Sequence, residues 1–259
     1  MRQIAMETST GRPADDAAAG ITWRRLLGMA AALDLALIVA GNLLFGPDPA
    51  FLALGGLFLL GWLLLRRRGR TGVVVAGLPA LVISVMFGAV APFLVTNPLA
   101  IFDREGGLFL GLLVAAFVGV ISAVGALLEA RAPAPGPRRA PSIVGGIAAG
   151  VLVALVAAGG IARLGFRAAD ARPGDLSIVM KDVGFSARSL DATGGDVIVH
   201  VANRDPTIHT FTIDGVVNAT VPAQSQGRVI VRAAPGTYRY YCAVPGHAAT
   251  MHGTLTIPG

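Results

Sequence analysis

The sequence predicts a bundle of five membrane-spanning helices followed by a small all-β sandwich. Three observations lead there. Of 259 residues, 54% are hydrophobic and only 14% charged, where a soluble domain carries about 25% charged residues; mean hydropathy is +0.69. Five long apolar stretches fill the first 162 residues, and beyond them the pattern changes to short alternating stretches set apart by turn residues. This composition excludes both a purely soluble protein and a disordered one.

The apolar stretches are 26–45, 50–65, 72–95, 107–128 and 143–162. A helix needs about 20 apolar residues to cross a bilayer, with a range of roughly 17–25. Four stretches satisfy this; the second is short and draws on residues 46–49. Arginines set the orientation, since positive charge is retained on the cytoplasmic side. Arg2, Arg12, Arg24 and Arg25 precede the first span, Arg66, Arg67, Arg68 and Arg70 separate the second from the third, and Arg131, Arg138 and Arg139 separate the fourth from the fifth. The alternate loops hold Arg104 alone, so the N-terminus is expected inside and everything after residue 162 outside. Arg163 and Arg167 run mildly against the rule. A cleaved leader is the alternative for the first stretch; its 25-residue lead and the interruption by Asp34 argue against it, and the C-terminal part is outside on either reading. The expected organisation is a cytoplasmic arm at 1–25, a transmembrane domain at 26–162, a linker at 163–174 and an extracytoplasmic domain at 175–259. Residues 130–142 hold Pro133, Pro135, Pro137 and Pro141, an extended connector.

The basic residues, 20 arginines and Lys181, cluster beside apolar runs rather than on an aromatic-studded folded face. They point to membrane lipid as partner and away from nucleic acid. Asp34, in mid-span with Asn42 one face along, is either functional or a helix-packing partner. With no His or Cys in the five stretches, haem ligation inside the membrane is excluded there.

Alternating stretches at 176–181, 196–202, 210–213, 227–232, 237–242 and 253–257, with turn signals at Thr193-Gly194-Gly195, Asp214-Gly215 and Ala234-Pro235-Gly236, predict the sandwich. The alternation of Val197, Val199 and Val201 turns them inward and His200 outward. The single cysteine excludes an intramolecular disulfide. It stands in Tyr240-Tyr241-Cys242-Ala243-Val244-Pro245-Gly246-His247-Ala248-Ala249-Thr250-Met251-His252, so that Cys, His and Met recur as Cys-x4-His-x3-Met in one tight loop; His209 opens a strand upstream. Each residue alone has an ordinary structural reading. Together, two imidazoles, a thiolate and a weak axial thioether form the set that selects one copper ion for electron transfer. Zinc is the competing metal, but it has little use for a thioether. His252, next to Met251, is expected to face away from the metal.

The segment "YYCAVPGHAATMHGTLTI" resembles the closing strand, loop and strand of the cupredoxins, the blue copper proteins of the azurin and plastocyanin type, and "GGDVIVHVANRDPTIHTFTI" is similar to their first-histidine region. The likeness runs over 176–258. It implies an eight-stranded Greek-key cupredoxin sandwich with a type 1 copper held by His209, Cys242, His247 and Met251. Many members have Asn or Ser after the first ligand, where this chain has Thr210. In the family the second histidine reaches the surface through an apolar patch, which implies a membrane-bound redox partner docking around His247. The expected function is therefore a membrane-anchored single-electron carrier on the outer face of the cytoplasmic membrane. The alternative is copper handling: sensing, storage or delivery. An enzyme is not expected, because a second copper centre would have only His200 and His252 to draw on.

Overall fold

The computed structural model describes residues 21–67, 69–103, 105–131, 139–194 and 197–259. Residues 1–20 of the expected N-terminal arm and residues 132–138 of the expected connector lie outside the described residues. Helix α1 (Trp23–Phe45) starts at Thr22, whose hydroxyl accepts the Arg25 N–H at 3.2 Å, a standard helix-start cap. It ends at Gly46, with φ of 96°, a conformation that only glycine adopts without strain. Asn42 ties this end together: its side-chain oxygen accepts the Asp48 N–H at 2.7 Å. Asp48 then caps α2 (Pro49–Leu65) by accepting from Ala50 and Phe51, with proline at the first helical position, where its missing N–H costs nothing.

The apolar stretch predicted as one span at 72–95 is two helices, α3 (Arg70–Phe87) and α4 (Val90–Thr96), broken at Gly88 and Ala89. Pro92 stands in the first turn of the second helix, where its ring meets no carbonyl of its own helix, whereas Pro79 is accommodated inside α3 without a break. A 3-10 turn (Pro98–Phe102) follows, then α5 (Gly106–Arg131) and α6 (Ala140–Gly165). Helices α1, α3, α5 and α6 are long and apolar enough to cross a membrane; α2, with 17 residues, is a shorter apolar helix. Of the five expected spans, four are thus helices long and apolar enough to cross a membrane, and the second, already short in the sequence, is below that length.

Helices α1, α2, α3 and α5 share one core, built on Leu27, Ile38, Phe58, Ile83 and Leu112. Small residues bring α2 and α3 together: a Cβ at Gly61 would stand 2.6 Å from the Ala76 backbone, and such close approach is how membrane helices gain packing contact. Asp34 is fully buried here, and neither carboxylate oxygen has a hydrogen-bond partner among the described residues. Helix α6 buries only Pro141 and Gly159. Its exposed Ile147, Val153, Ile161 and Leu164 form an apolar face that water does not favour and lipid does.

Nine strands make the sandwich: β1 (Leu176–Lys181), β2 (Gly184–Phe185), β3 (Ser189–Asp191), β4 (Val197–Asn203), β5 (His209–Ile213), β6 (Val217–Val221), β7 (Gln226–Val231), β8 (Gly236–Tyr241) and β9 (His252–Ile257). One sheet has the order β2-β1-β4-β7, the other β3-β9-β8-β5-β6. Their inner faces meet on Ile178, Met180, Val199, Phe211, Tyr240 and Leu255. The six predicted strands are present with ends shifted by a residue or so; β2, β3 and β6 are additional, giving nine strands among the described residues where eight were expected.

His200 departs from expectation. It is 8% exposed, although it does point away from the valine face of β4. The chain leading into β1 folds back over this outer face: Gln226 reaches Asp170 at 2.6 Å, and Arg228, paired across the sheet with His200, forms an ion pair with Asp175 at 2.7 Å. Alternation assigns a side chain to a face; it does not say whether a loop covers that face.

The sandwich rests on the helical region through the segment between α3 and α5. Asp103 Oδ2 accepts from the Ile208 N–H at 3.0 Å and from the Thr207 hydroxyl at 3.2 Å. Asn97 Oδ1 accepts from Thr220 at 2.7 Å and Asn218 at 3.2 Å. Between these bonds Ile208 packs with Phe93, Leu94, Ile101 and Leu110, and Val244 adds to the same cluster. Asp103→Ala strands the Ile208 N–H, and an unpaired buried donor costs about 1–3 kcal/mol. Hydrogen exchange at the Ile208 amide should accelerate at least tenfold in this variant, while the Phe211 amide inside the sandwich keeps its wild-type protection; unchanged exchange at Ile208 would mean that the docking does not depend on Asp103.

Candidate metal centre

His209 opens β5, Cys242 follows β8 directly, and the loop from Ala243 to Met251 returns the chain to β9. Because β5 and β8 are neighbours in one sheet, two residues 33 positions apart come side by side. The loop folds as a tight turn: the His247 N–H donates to Val244 O at 3.0 Å, and Met251 N–H to His247 O at 2.8 Å. Gly246, with φ of 87°, takes the left-handed position that this reversal needs. The Cys242 N–H donates to Met251 O at 3.0 Å, so the last residue of the motif lies against the first. Met251 and Cys242 are both fully buried in the sandwich core.

Three donor atoms converge. His209 Nδ1 and His247 Nδ1 are 3.2 Å apart, and Cys242 Sγ is 3.7 Å from each. The point equidistant from all three lies about 2.1 Å from each atom, which is metal–nitrogen bonding distance, ~2.0–2.1 Å for zinc. The tautomer of His209 is fixed from behind, since its Nε2 lies 2.7 Å from Asp205 Oδ2. An ionised carboxylate can only accept, so the proton is on Nε2 and the Nδ1 lone pair faces the other two donors.

The electrostatics agree. Burial lowers the His209 pKa, opposed by Asp205, and burial together with neighbouring His209 brings His247 down to about 4. Both rings are thus neutral at neutral pH, with lone pairs to offer. Burial pushes the Cys242 thiol up, opposed by N–H donors of Thr210 and Val244; a bound cation is what would draw off its proton. Two neutral imidazoles and a thiol, buried together with their donor atoms converging, form a set that a metal ion can bind once the thiol proton is lost.

Thr210 ties the strand to the start of the ligand loop: its Oγ1 accepts the Ala243 N–H at 2.7 Å, and its own N–H points at Cys242 Sγ at 3.4 Å. Asp205 was not singled out in the sequence. Besides His209 it accepts from the N–H groups of Asp182 at 2.7 Å and Val183 at 3.1 Å. Burial works to raise its pKa, but these bonds and His209 outweigh it and leave it lowered. Asp182 and Val183 form the β1–β2 turn with φ of 54° and 52°, a costly conformation for a β-branched residue that the Asp205 carboxylate offsets. Thr250, inside the ligand loop, donates to Val183 O at 2.8 Å, which joins turn and loop. The one sequence signal for Asp205 was a carboxylate four residues before a histidine.

His252 stands outside the site, with Nδ1 3.1 Å from Ala248 O. The surroundings of His247 divide in two. Pro245, Gly246 and Ala249 are exposed. On the other side, Val244, Pro245 and His247 line a cavity whose opposite wall comes from α3, α4 and α5.

Residues 148–257 match the family of the cupredoxin-like domain. No curated protein matches the chain. Among solved structures it is similar to auracyanin A, a blue copper protein of Chloroflexus aurantiacus, at 21% identity over 32% of this chain and 97% of that one, with a TM-score of 0.29. An oxidised proline-to-glycine variant of amicyanin matches at 19% identity over 36% of this chain and 90% of that one, TM-score 0.30. A heme-copper terminal oxidase matches at 19%, over 46% and 99%, TM-score 0.29. The family match and the donor set together name copper as the metal, and the chain thus carries a cupredoxin-like domain at residues 148–257, behind a region of apolar helices.

Proposed function

We propose that the protein is a membrane-anchored type 1 copper protein that carries single electrons on the outer face of the cytoplasmic membrane, with His209, Cys242, His247 and Met251 as copper ligands. The observation that carries this reading is the triangle of His209 Nδ1, His247 Nδ1 and Cys242 Sγ. Copper, when bound, supplies a one-electron couple between Cu(I) and Cu(II), and a soft thiolate and thioether beside two imidazoles suit both states. The protein's part is to hold the donors still. Asp205 fixes the His209 ring, Thr210 pins the start of the ligand loop, and the Met251 backbone closes it onto Cys242. A site that does not rearrange between oxidation states exchanges electrons with little reorganisation. The exposed, uncharged Pro245, Gly246 and Ala249 beside His247 offer a redox partner close approach without desolvation of charge.

Repeated cycles of oxidation and reduction by a soluble one-electron couple should bleach and restore the colour without loss of copper to a moderate Cu(I) chelator; copper released at each reduction would instead assign the protein to copper handling. The proposed topology has five spans, counting α2, with the N-terminus inside. On a Cys242→Ser background, a cysteine at Thr193 should be labelled from outside and one at Ser142 only after permeabilisation. The reverse pattern would invert the orientation.

A further inference from the structure

The cavity beside His247 measures about 310 Å³. It lies where the outer ends of α3 and α5 meet the ligand loop. Its walls are aromatic and apolar, with Phe87, Phe93 and Phe109 from the helices and Val244 from the loop, and its polar groups include Asp103 and His247. The exposed residues Met86 and Ala89 form its lip. We propose that this cavity binds the ring of a membrane-dissolved hydroquinone, which reduces the copper through His247. The proposal rests on the function proposed above and names its electron donor.

Size excludes a protein on this side. A stable protein interface needs about 800 Å² of each partner, and the helices already occupy the ground next to Val244 and Ile208. The volume falls at the low end of the ~300–1,000 Å³ of small-molecule sites. Placement selects an apolar ligand, because the lip stands at the end of helices whose flanks are lipid-facing. Chemistry selects a ring with hydroxyls. Three phenylalanines offer faces and edges for an aromatic ring. Asp103, held by Thr207 and Ile208, presents a carboxylate to accept an O–H. With Nδ1 of His247 turned to the donor triangle, Nε2 is the ring atom left to carry a proton and donate to the ligand oxygen. An apolar donor of electrons with two hydroxyls on an aromatic ring is a hydroquinone. The reaction balances as one hydroquinone and two Cu(II) giving one quinone, two Cu(I) and two protons. Each electron reduces one copper, supplied by two chains or by one chain reoxidised by a one-electron acceptor between transfers. Both O–H bonds break, and the protons leave to water on the outer side.

The test uses the full chain in detergent and two probes, decyl-substituted benzoquinone and its hydroquinone. The metal-free protein should bind the oxidised probe saturably at one equivalent, and Ala89→Trp, which fills the lip from an exposed position, should weaken binding at least tenfold; Met86→Trp provides a second filling variant. In the copper-loaded protein, the hydroquinone should bleach the colour at a rate that saturates with concentration. Ala89→Trp should slow this at least tenfold, while ascorbate bleaches wild type and variant alike. Absence of saturable binding, equal binding by wild type and both filled variants, or bleaching linear in hydroquinone concentration in wild type would overturn the proposal. A copper site that even ascorbate cannot bleach would instead defeat the electron-carrier reading, and binding of quinone by the metal-free protein would still decide the site.

Discussion

Cys242→Ser should abolish the visible colour of the copper-loaded protein completely. Only a thiolate sulfur donates strongly enough to Cu(II) to give an intense charge-transfer band, and Cys242 is the sole cysteine of the chain. Its Sγ completes the triangle with His209 and His247, and no other sulfur can replace it there except the weakly donating Met251. Copper affinity should fall by more than the ~10–100-fold typical of losing the partner of a ligand, since here a ligand itself is lost. The fold should persist. Serine is smaller and polar, but the Thr210 N–H that now points at Sγ remains beside its hydroxyl. Circular dichroism of the metal-free variant should therefore match wild type, and a spectrum that stays blue would remove Cys242 from the site.

Asp205→Asn should raise the reduction potential and weaken copper binding by ~10–100-fold, the usual cost of removing the group behind a metal-bound histidine. The direction follows from charge. A carboxylate accepting from His209 Nε2 at 2.7 Å makes the ring a stronger donor and stabilises Cu(II) more than Cu(I); a neutral amide does this less. Each tenfold change in the relative stability of the two states corresponds to about 59 mV for one electron. A second effect separates this residue from a purely electrostatic one. Asparagine has one acceptor oxygen for three donors, the N–H groups of Asp182 and Val183 and the His209 ring, so the β1–β2 turn loses support at left-handed Val183. The metal-free variant should lose about 1–3 kcal/mol of stability in denaturant unfolding. A potential equal to that of wild type would show that Asp205 has no hold on the metal.

The site was legible in the sequence where its geometry is local. Cys242, His247 and Met251 lie in one loop, so their spacing is nearly their structure, and His209 is marked by standing at a strand start. Asp205 was not legible as a partner of His209, because its role depends on a turn 23 positions away. The docking of the sandwich onto the helices was invisible for the same reason: Asp103 and Asn97 bond to residues more than a hundred positions off. Of the fold, β1, β4, β5, β7, β8 and β9 announced themselves by alternation, whereas β2 and β3, two and three residues long, are too short to alternate. Strand β6 did alternate, as Val217, Ala219 and Val221 after the Asp214-Gly215 turn, and was readable. Hydropathy ran unbroken through Gly88 and Ala89, and it reports apolar character rather than backbone geometry, so the break between α3 and α4 left no mark on it.

The measurement that tests the central claim most directly is the pair of optical and electron spin-resonance spectra of the copper-loaded full chain. A type 1 site of His209, Cys242, His247 and Met251 should give one copper per chain, an intense thiolate-to-copper band in the visible region, and a copper hyperfine splitting narrowed by delocalisation onto Sγ. A colourless Cu(II) protein with the wide splitting of ordinary tetragonal copper, or a chain that takes up zinc in preference and shows no visible band after copper loading, would contradict the assignment.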